Sequence, residues 1–230
     1  MTNEFASDLV VANRILAHEG VLDAFGHVSI RDPGDRGRFH IARSLSPAQV
    51  TEADLQVLDL DGRRVSGDQR SSYAEVAIHA SIYRARPDVG AVCHSHAAPV
   101  IPFTVTRTAL RPVTHVAAVI GGTVPVWDSA DLGADLLVRT ATQGDALACA
   151  LGAGPTALMR GHGCVVAATD VRALTLIAIR LVANAEQLAA SLQLGKVRYL
   201  TAEEIAQSSA MILAPLSLDR AWSYWVSRAG

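Results

Sequence analysis

The apolar run Val89-Gly90-Ala91-Val92-Cys93, closed by His94-Ser95-His96, constrains the fold of this chain more than any other stretch. Its brevity and flanks predict a buried strand. Side chains two residues apart in extended backbone point to one face, so the imidazoles of His94 and His96 can converge on one cation. His162, between Gly161 and Gly163, offers a third nitrogen from a distant turn, and Glu75 lies upstream. Three such ligands leave coordination positions open, the pattern of a catalytic rather than a structural metal. The plainer alternative is a histidine hydrogen-bonded in a core or resting on the surface, the commoner fate of a lone one. The two glycines beside His162 weigh against it, because they allow a tight turn and a close backbone approach that a merely buried histidine does not require. Cys93 should point to the opposite side and pack in the core.

Around this strand the chain alternates between helical and extended patterns. Residues 6–19 place Leu9, Val10, Ala12, Ile15 and Leu16 at helical spacing, with Gly20 as a stop. Residues 27–31 and 38–42 read as a strand pair across Asp32-Pro33-Gly34-Asp35, and 56–60 with 63–65 as a hairpin across Asp61-Gly62. Residues 73–85 predict a helix carrying Glu75 and His79 one turn apart, and 96–103 fit a helix loosely. Strands are expected at 113–120, 124–127, 157–160 and 164–168, and helices at 131–151 and 171–193, with one or two more over 201–228. Strands spread between helices along the whole length predict one α/β or α+β domain over residues 1–230, built on a central mixed sheet.

Composition removes several classes of function. Half the residues are hydrophobic and 18% are charged, which disfavours disorder. A formal net charge of −2 leaves no electrostatic footprint for nucleic acid. No uninterrupted apolar run is long enough to span a bilayer, and the polar, acidic start does not resemble a signal peptide, so a cytoplasmic protein without membrane attachment is expected. The three cysteines, Cys93, Cys149 and Cys164, form no disulfide framework. Neither a dinucleotide fingerprint nor a phosphate loop of the Walker type is present.

The ordered set Gly26-His27-Val28-Ser29, Ser44-Leu45-Ser46-Pro47, Ser71-Ser72-Tyr73-Ala74-Glu75, His94-Ser95-His96 and Gly161-His162-Gly163 resembles the class II aldolase/adducin family over residues 5–215. The resemblance implies a three-layer α/β/α fold with a mixed, largely antiparallel sheet. It also implies a homotetramer with sites at subunit boundaries and a divalent metal (zinc, manganese, iron or cobalt) on His94, His96 and His162. Glu75 takes the family's acid/base position. His27, Ser29, Ser44, Ser46, Ser71 and Ser72 fall on the loops that hold the substrate's anionic group. Arg43 and Arg160 flank these motifs and, as planar guanidiniums, suit a second carboxylate. His115 is a further candidate acid/base group, or a histidine hydrogen-bonded between packed strands.

Two departures from the sugar-phosphate aldolases direct the reading. Those enzymes carry Thr-Pro-Thr-Gly where this chain has Ser44-Leu45-Ser46-Pro47, and a proline in place of the glycine removes an N–H donor from the phosphate cradle. Fuculose-phosphate-type aldolases carry a proton-donating tyrosine where this chain has Val116. Both argue against sugar-phosphate aldol cleavage, and Ala42-Arg43-Ser44-Leu45-Ser46-Pro47, together with Tyr83-Arg84-Ala85-Arg86-Pro87-Asp88-Val89 and His94-Ser95-His96, resembles instead the branch that decarboxylates hydroxylated aromatic dicarboxylates such as dihydroxyphthalate or hydroxy-methylpyridine-dicarboxylate. The expected activity is a metal-dependent decarboxylation of a small hydroxyaromatic carboxylate. The alternatives are an aldolase or epimerase of a small carbonyl compound and a non-catalytic scaffold of the adducin type, against which the intact histidines and Glu75 count.

Overall fold

A computed structural model describes residues 4–130, 132 and 135–229. Among the described residues, eight strands form one sheet: β1 (His27–Arg31), β2 (Arg38–Ala42), β3 (Leu55–Asp59), β4 (Arg64–Gly67), β5 (Ala91–Ser95), β6 (Val126–Trp127), β7 (Thr156–Met159) and β8 (Gly163–Ala168). Their spatial order is β4-β3-β2-β1-β5-β8-β7-β6. Every neighbouring pair is antiparallel except β6 with β7. The sheet is therefore mixed and largely antiparallel, as expected.

Alternation along the central strands produces two cores, one on each face. Cys93, Cys164, Val166 and Ala168 join Val28 and Ile30 on the face covered by α1 (Glu4–His18) and α5 (Val171–Leu194). Val92, Val165 and Ala167 point the other way, toward α2 (Val76–Ala85) and α4 (Ala141–Leu151). Cys93 thus packs in the core opposite His94, as its position in the strand requires. Helix α5 begins where the Asp170 carboxylate accepts from the amides of Arg172 and Ala173, capping two otherwise unpaired donors. It is long and apolar enough to cross a membrane by composition alone, yet it lies mostly buried within the fold as a core helix. The other α-helices among the described residues are α3 (Ile101–Val105), α6 (Ala202–Ile212) and α7 (Pro215–Ala229).

Several predicted elements form differently. Residues 113–120 are not a strand: His115–Ile120 winds into a 3₁₀ helix. The buried Asn184 side chain of α5 accepts from the Val113 amide and donates to the Arg111 carbonyl, taking the place of a neighbouring strand. The helix expected over 131–151 starts only at Ala141, behind a Thr140/Gln143 capping box. Residues 131, 133 and 134 lie outside the described residues, and 135–140 run without helical structure. The segment 96–103 divides into a 3₁₀ turn, Ala98–Val100, followed by α3. The strand near 89–93 runs two residues further, Ala91–Ser95, so His94 is held in the ladder itself.

Candidate metal centre

The site lies on the α2 face, at the edge where β1, β5 and β8 end beside the start of α2. His94 is in β5, His96 follows it, and His162 sits in the turn between β7 and β8. His94 Nε2 is 3.0 Å from His96 Nε2, which is 3.1 Å from His162 Nε2. Glu75 Oε2 lies 3.6 Å from the Nε2 atoms of both His94 and His162. The four ligand atoms are mutually within 4.8 Å.

Backbone closeness makes this convergence possible. Gly163 lies so near β5 that a Cβ there would be 2.1 Å from the Ser95 carbonyl oxygen and 3.2 Å from His96 Cα. Gly161 adopts a positive φ of 62°, in the left-handed region that glycine enters without a steric penalty. Both glycines of the turn are thus required, one by close approach and one by conformation.

The protonation pattern of the rings fits a bound cation. The Cys164 carbonyl can only accept, so His94 Nδ1, 3.1 Å away, carries the proton and Nε2 is left as a lone pair. The Asp23 carboxylate, 3.2 Å from His96 Nδ1, acts in the same way on the second ring. Asp23 is itself held by the amides of Phe25 and Gly26. Burial pushes the His94 imidazole well below its usual range, so the ring is neutral. In these tautomers the Nε2 atoms of both rings, 3.0 Å apart, turn toward one focus, the arrangement that a divalent cation would fill. His162 Nδ1 is buried without a hydrogen-bond partner among the described residues. Burial pushes the Glu75 carboxyl up, but His162, His94 and the Val138 amide outweigh it and hold the group below its usual value.

A cavity of about 250 Å³ opens beside these groups, lined by Phe25, His27, Ser44, Tyr73, Ala74, Glu75, His96 and Leu137. The sequence-predicted substrate residues divide around it. His27 and Ser44 border the cavity. Ser29 does not: it is fully buried, with its hydroxyl bonded to His79 Nδ1 at 2.6 Å and to Tyr83 at 2.8 Å, so direct contact with a ligand is closed to it. The Ser72 hydroxyl donates to Gln56 at 2.7 Å, Ser71 offers its carbonyl to the Ser44 amide, and Ser46 precedes a 3₁₀ turn that Pro47 opens. Arg43 and Arg160 each engage a carboxylate through Nε, Asp54 at 2.8 Å and Asp128 at 2.6 Å, and neither lines the cavity. His115 is exposed and outside the cavity, and Val116 lines a different one of about 610 Å³ between α5 and α7. An acid/base role for His115 would need a second copy of the chain. Of the Trp222-Ser223-Tyr224-Trp225 segment, both tryptophans pack into the core, while Tyr224 is exposed and also borders that larger cavity.

Residues 7–189 match the Class II Aldolase and Adducin N-terminal domain. The chain belongs to this family. Among its relatives, Decarboxylase tropJ of Talaromyces stipitatus is 32% identical over 238 residues, spanning 92% of this chain and 89% of that protein. The 3,4-dihydroxyphthalate decarboxylase of Arthrobacter keyseri is 32% identical over 186 residues, spanning 74% of this chain and 72% of that one. L-fuculose 1-phosphate aldolase from Glaciozyma antarctica shares the fold, with a TM-score of 0.82 at 22% identity over 98% of this chain and 88% of that chain. Class II aldolases depend on a divalent metal, and the Glu75/His94/His96/His162 cluster is a donor set suited to one. Asp23, Phe25 and Leu137 join the site from outside the sequence motifs. Asp23-Ala24-Phe25-Gly26 could have signalled an Asx turn, whereas nothing local marks Leu137.

Proposed function

We propose that this member of the family is a divalent-metal-dependent decarboxylase of a hydroxylated aromatic or heteroaromatic carboxylate. The observation that carries the reading is the focus of three imidazole Nε2 atoms with the Glu75 carboxylate 3.6 Å from two of them, at the wall of a small cavity. The two decarboxylase relatives support the reaction type. His94, His96 and His162 would hold the metal, and when bound it supplies positive charge that stabilises a developing phenolate. Glu75 is a carboxylate in the resting site, so Oε2 takes the proton of the substrate's ring hydroxyl and returns it to the ring carbon bearing the carboxylate. That carbon becomes tetrahedral and the ring a transient ketone. The carbon–carboxylate bond then breaks, its electron pair re-forms the aromatic phenolate, and carbon dioxide leaves. Glu75 Oε1 accepts from the Val138 amide at 2.8 Å, which fixes the carboxyl for both transfers.

Pro47, buried at the first position of its 3₁₀ turn, has no amide to offer a phosphate, which disfavours sugar-phosphate cleavage. The site would act within a homotetramer, in which a neighbouring subunit can bring exposed groups such as His115 or Tyr224 to the cavity. The test is carbon dioxide release from a panel of ortho-hydroxy aromatic carboxylates, run beside sugar phosphates. Aldol cleavage with no carbon dioxide from any hydroxyaromatic acid would replace this reading with the aldolase one.

A further inference from the structure

Beside the metal centre, β1 and α2 share a buried line of polar side chains. Alternation puts His27, Ser29 and Arg31 on the face of β1 covered by α2, and four-residue spacing puts Glu75, His79 and Tyr83 in one row at the start of α2 and along it. The row advances about 6 Å per step on the helix and about 6.6 Å on the strand, so the two sets stay in register. His27 Nδ1 meets His79 Nε2 at 2.7 Å, His79 Nδ1 meets Ser29 Oγ at 2.6 Å, and Ser29 Oγ meets Tyr83 Oη at 2.8 Å. His27, Ser29, His79 and Tyr83 are all buried.

The chain has only one direction in which every proton finds an acceptor. His79 and His27 are buried against each other, Ser29 and aromatic rings, with no carboxylate paired to either among the described residues, so both rings are neutral with one proton each. Among the described residues the Tyr83 hydroxyl has Ser29 Oγ as its one side-chain partner, and its backbone partner Val92 favours the phenolate, as a donated amide N–H does, so it cannot take the phenol proton. Tyr83 therefore donates to Ser29, Ser29 donates to His79 Nδ1, and His79 Nε2–H donates to His27 Nδ1. The reverse direction would bury the phenol proton with no acceptor, which the interior penalises more than any hydrogen bond in the chain rewards. With its Nδ1 an acceptor toward the interior, His27 carries its proton on Nε2, and its ring borders the cavity. Nε2 has no hydrogen-bond partner among the described residues.

We infer that His79, Ser29 and Tyr83 are positioning residues that lock His27 as the Nε2–H tautomer, a neutral donor aimed at an anionic oxygen of the substrate beside the metal. A neutral donor suits that task because it stabilises negative charge on oxygen without adding a second cation near the metal. The substrate half of this inference rests on the decarboxylase reading. The tautomer lock does not.

The test uses zinc-loaded protein labelled with ¹⁵N and ¹³C at histidine and observed by solid-state NMR, with His27 assigned by the signals that His27→Gln removes. The expected spectrum shows His27 protonated at Nε2 and bare at Nδ1, and in Ser29→Ala a mixture of tautomers, because His79 Nδ1 has then lost the donor that set its direction. A proton on Nδ1 of His27 in the native protein, or an unchanged tautomer in Ser29→Ala, overturns the lock. In the kinetic arm, with 3,4-dihydroxyphthalate as the probe, His27→Leu should lower kcat on the order of 10²-fold or more at unchanged metal content, the usual loss for one oxyanion donor. His27→Gln, whose amide offers an N–H at a similar reach, should recover a substantial part of it. Equal losses in the two variants with metal intact overturn the donor role. Native protein that releases no carbon dioxide from the probe counts against the decarboxylase reading, while the NMR arm still decides the lock.

Discussion

Replacing Gly163 by alanine is the sharpest test of how this site is held. The added Cβ would sit 2.1 Å from the Ser95 carbonyl oxygen and 3.0 Å from its carbon, where real Cβ atoms essentially never come closer than 3.0 Å to anything. The contacted atoms are backbone, so no side-chain rotation relieves the overlap of roughly 0.9 Å, and β5 must separate from β8 at the Ser95–Cys164 pair. His96 follows Ser95 and His162 precedes Gly163, so the separation acts on two of the three ligand nitrogens. Metal–ligand distances tolerate only about 0.2 Å, so a displacement several times larger should weaken metal binding by at least the 10–100-fold seen when supporting contacts are lost. The overpacking itself should cost about 1–3 kcal/mol of stability. The assay is competitive metal titration against a chelator, paired with urea unfolding of the metal-free protein. Gly20→Ala is the control: its φ of 71° makes alanine strained, but nothing lies within 4 Å of the new Cβ. It should cost about 1–2 kcal/mol with metal affinity unchanged. Native metal affinity in Gly163→Ala would refute the claim that strand closeness sets the ligand geometry.

Alanine at His94, His96 or His162 should remove most of a stoichiometry near one metal per subunit, read by elemental analysis after dialysis; full occupancy in all three variants would dismiss the triad. Glu75→Gln should retain metal and substrate binding but lower turnover on the order of 10²–10⁴-fold, since an amide cannot pass the proton; near-native turnover would remove Glu75 from the chemistry. The Asp54 carboxyl is held below its usual 3.8 chiefly by the Thr51 hydroxyl, with the Thr51 amide and Arg43 adding to it against burial. A carboxyl depressed in the folded state stabilises above its unfolded pKa, so the stability lead of the native chain over Asp54→Asn should be constant near neutrality and shrink as pH falls below about 4. Urea unfolding at stepped pH checks this, and a lead that grows on acidification would contradict it. Light scattering should report a homotetramer, and a monodisperse monomer with full activity would exclude the proposed assembly.

The local parts of this protein were legible in one dimension. Strand alternation in residues 89–96 put His94 and His96 on one face and Cys93 on the other, and the glycines around His162 announced a tight turn, because side-chain period and glycine's conformational freedom are properties of a few consecutive residues. The motif order likewise identified the family. What lay beyond reach depended on partners distant in sequence. Nothing near Asn184 says that it will hold Arg111 and Val113 and so turn a β-like stretch into a 3₁₀ helix. Arg43 and Arg160 read as free cations until the fold brought Asp54 and Asp128 to them. Ser29 read as a ligand contact until α2 laid His79 and Tyr83 across it, and Asp23 acquired its role only when His96 arrived beside it. Sequence determined which groups could carry the chemistry; tertiary structure decided which of them remained free to do so, because the hydrogen bonds and ion pairs that engage a polar side chain form between residues far apart in the chain.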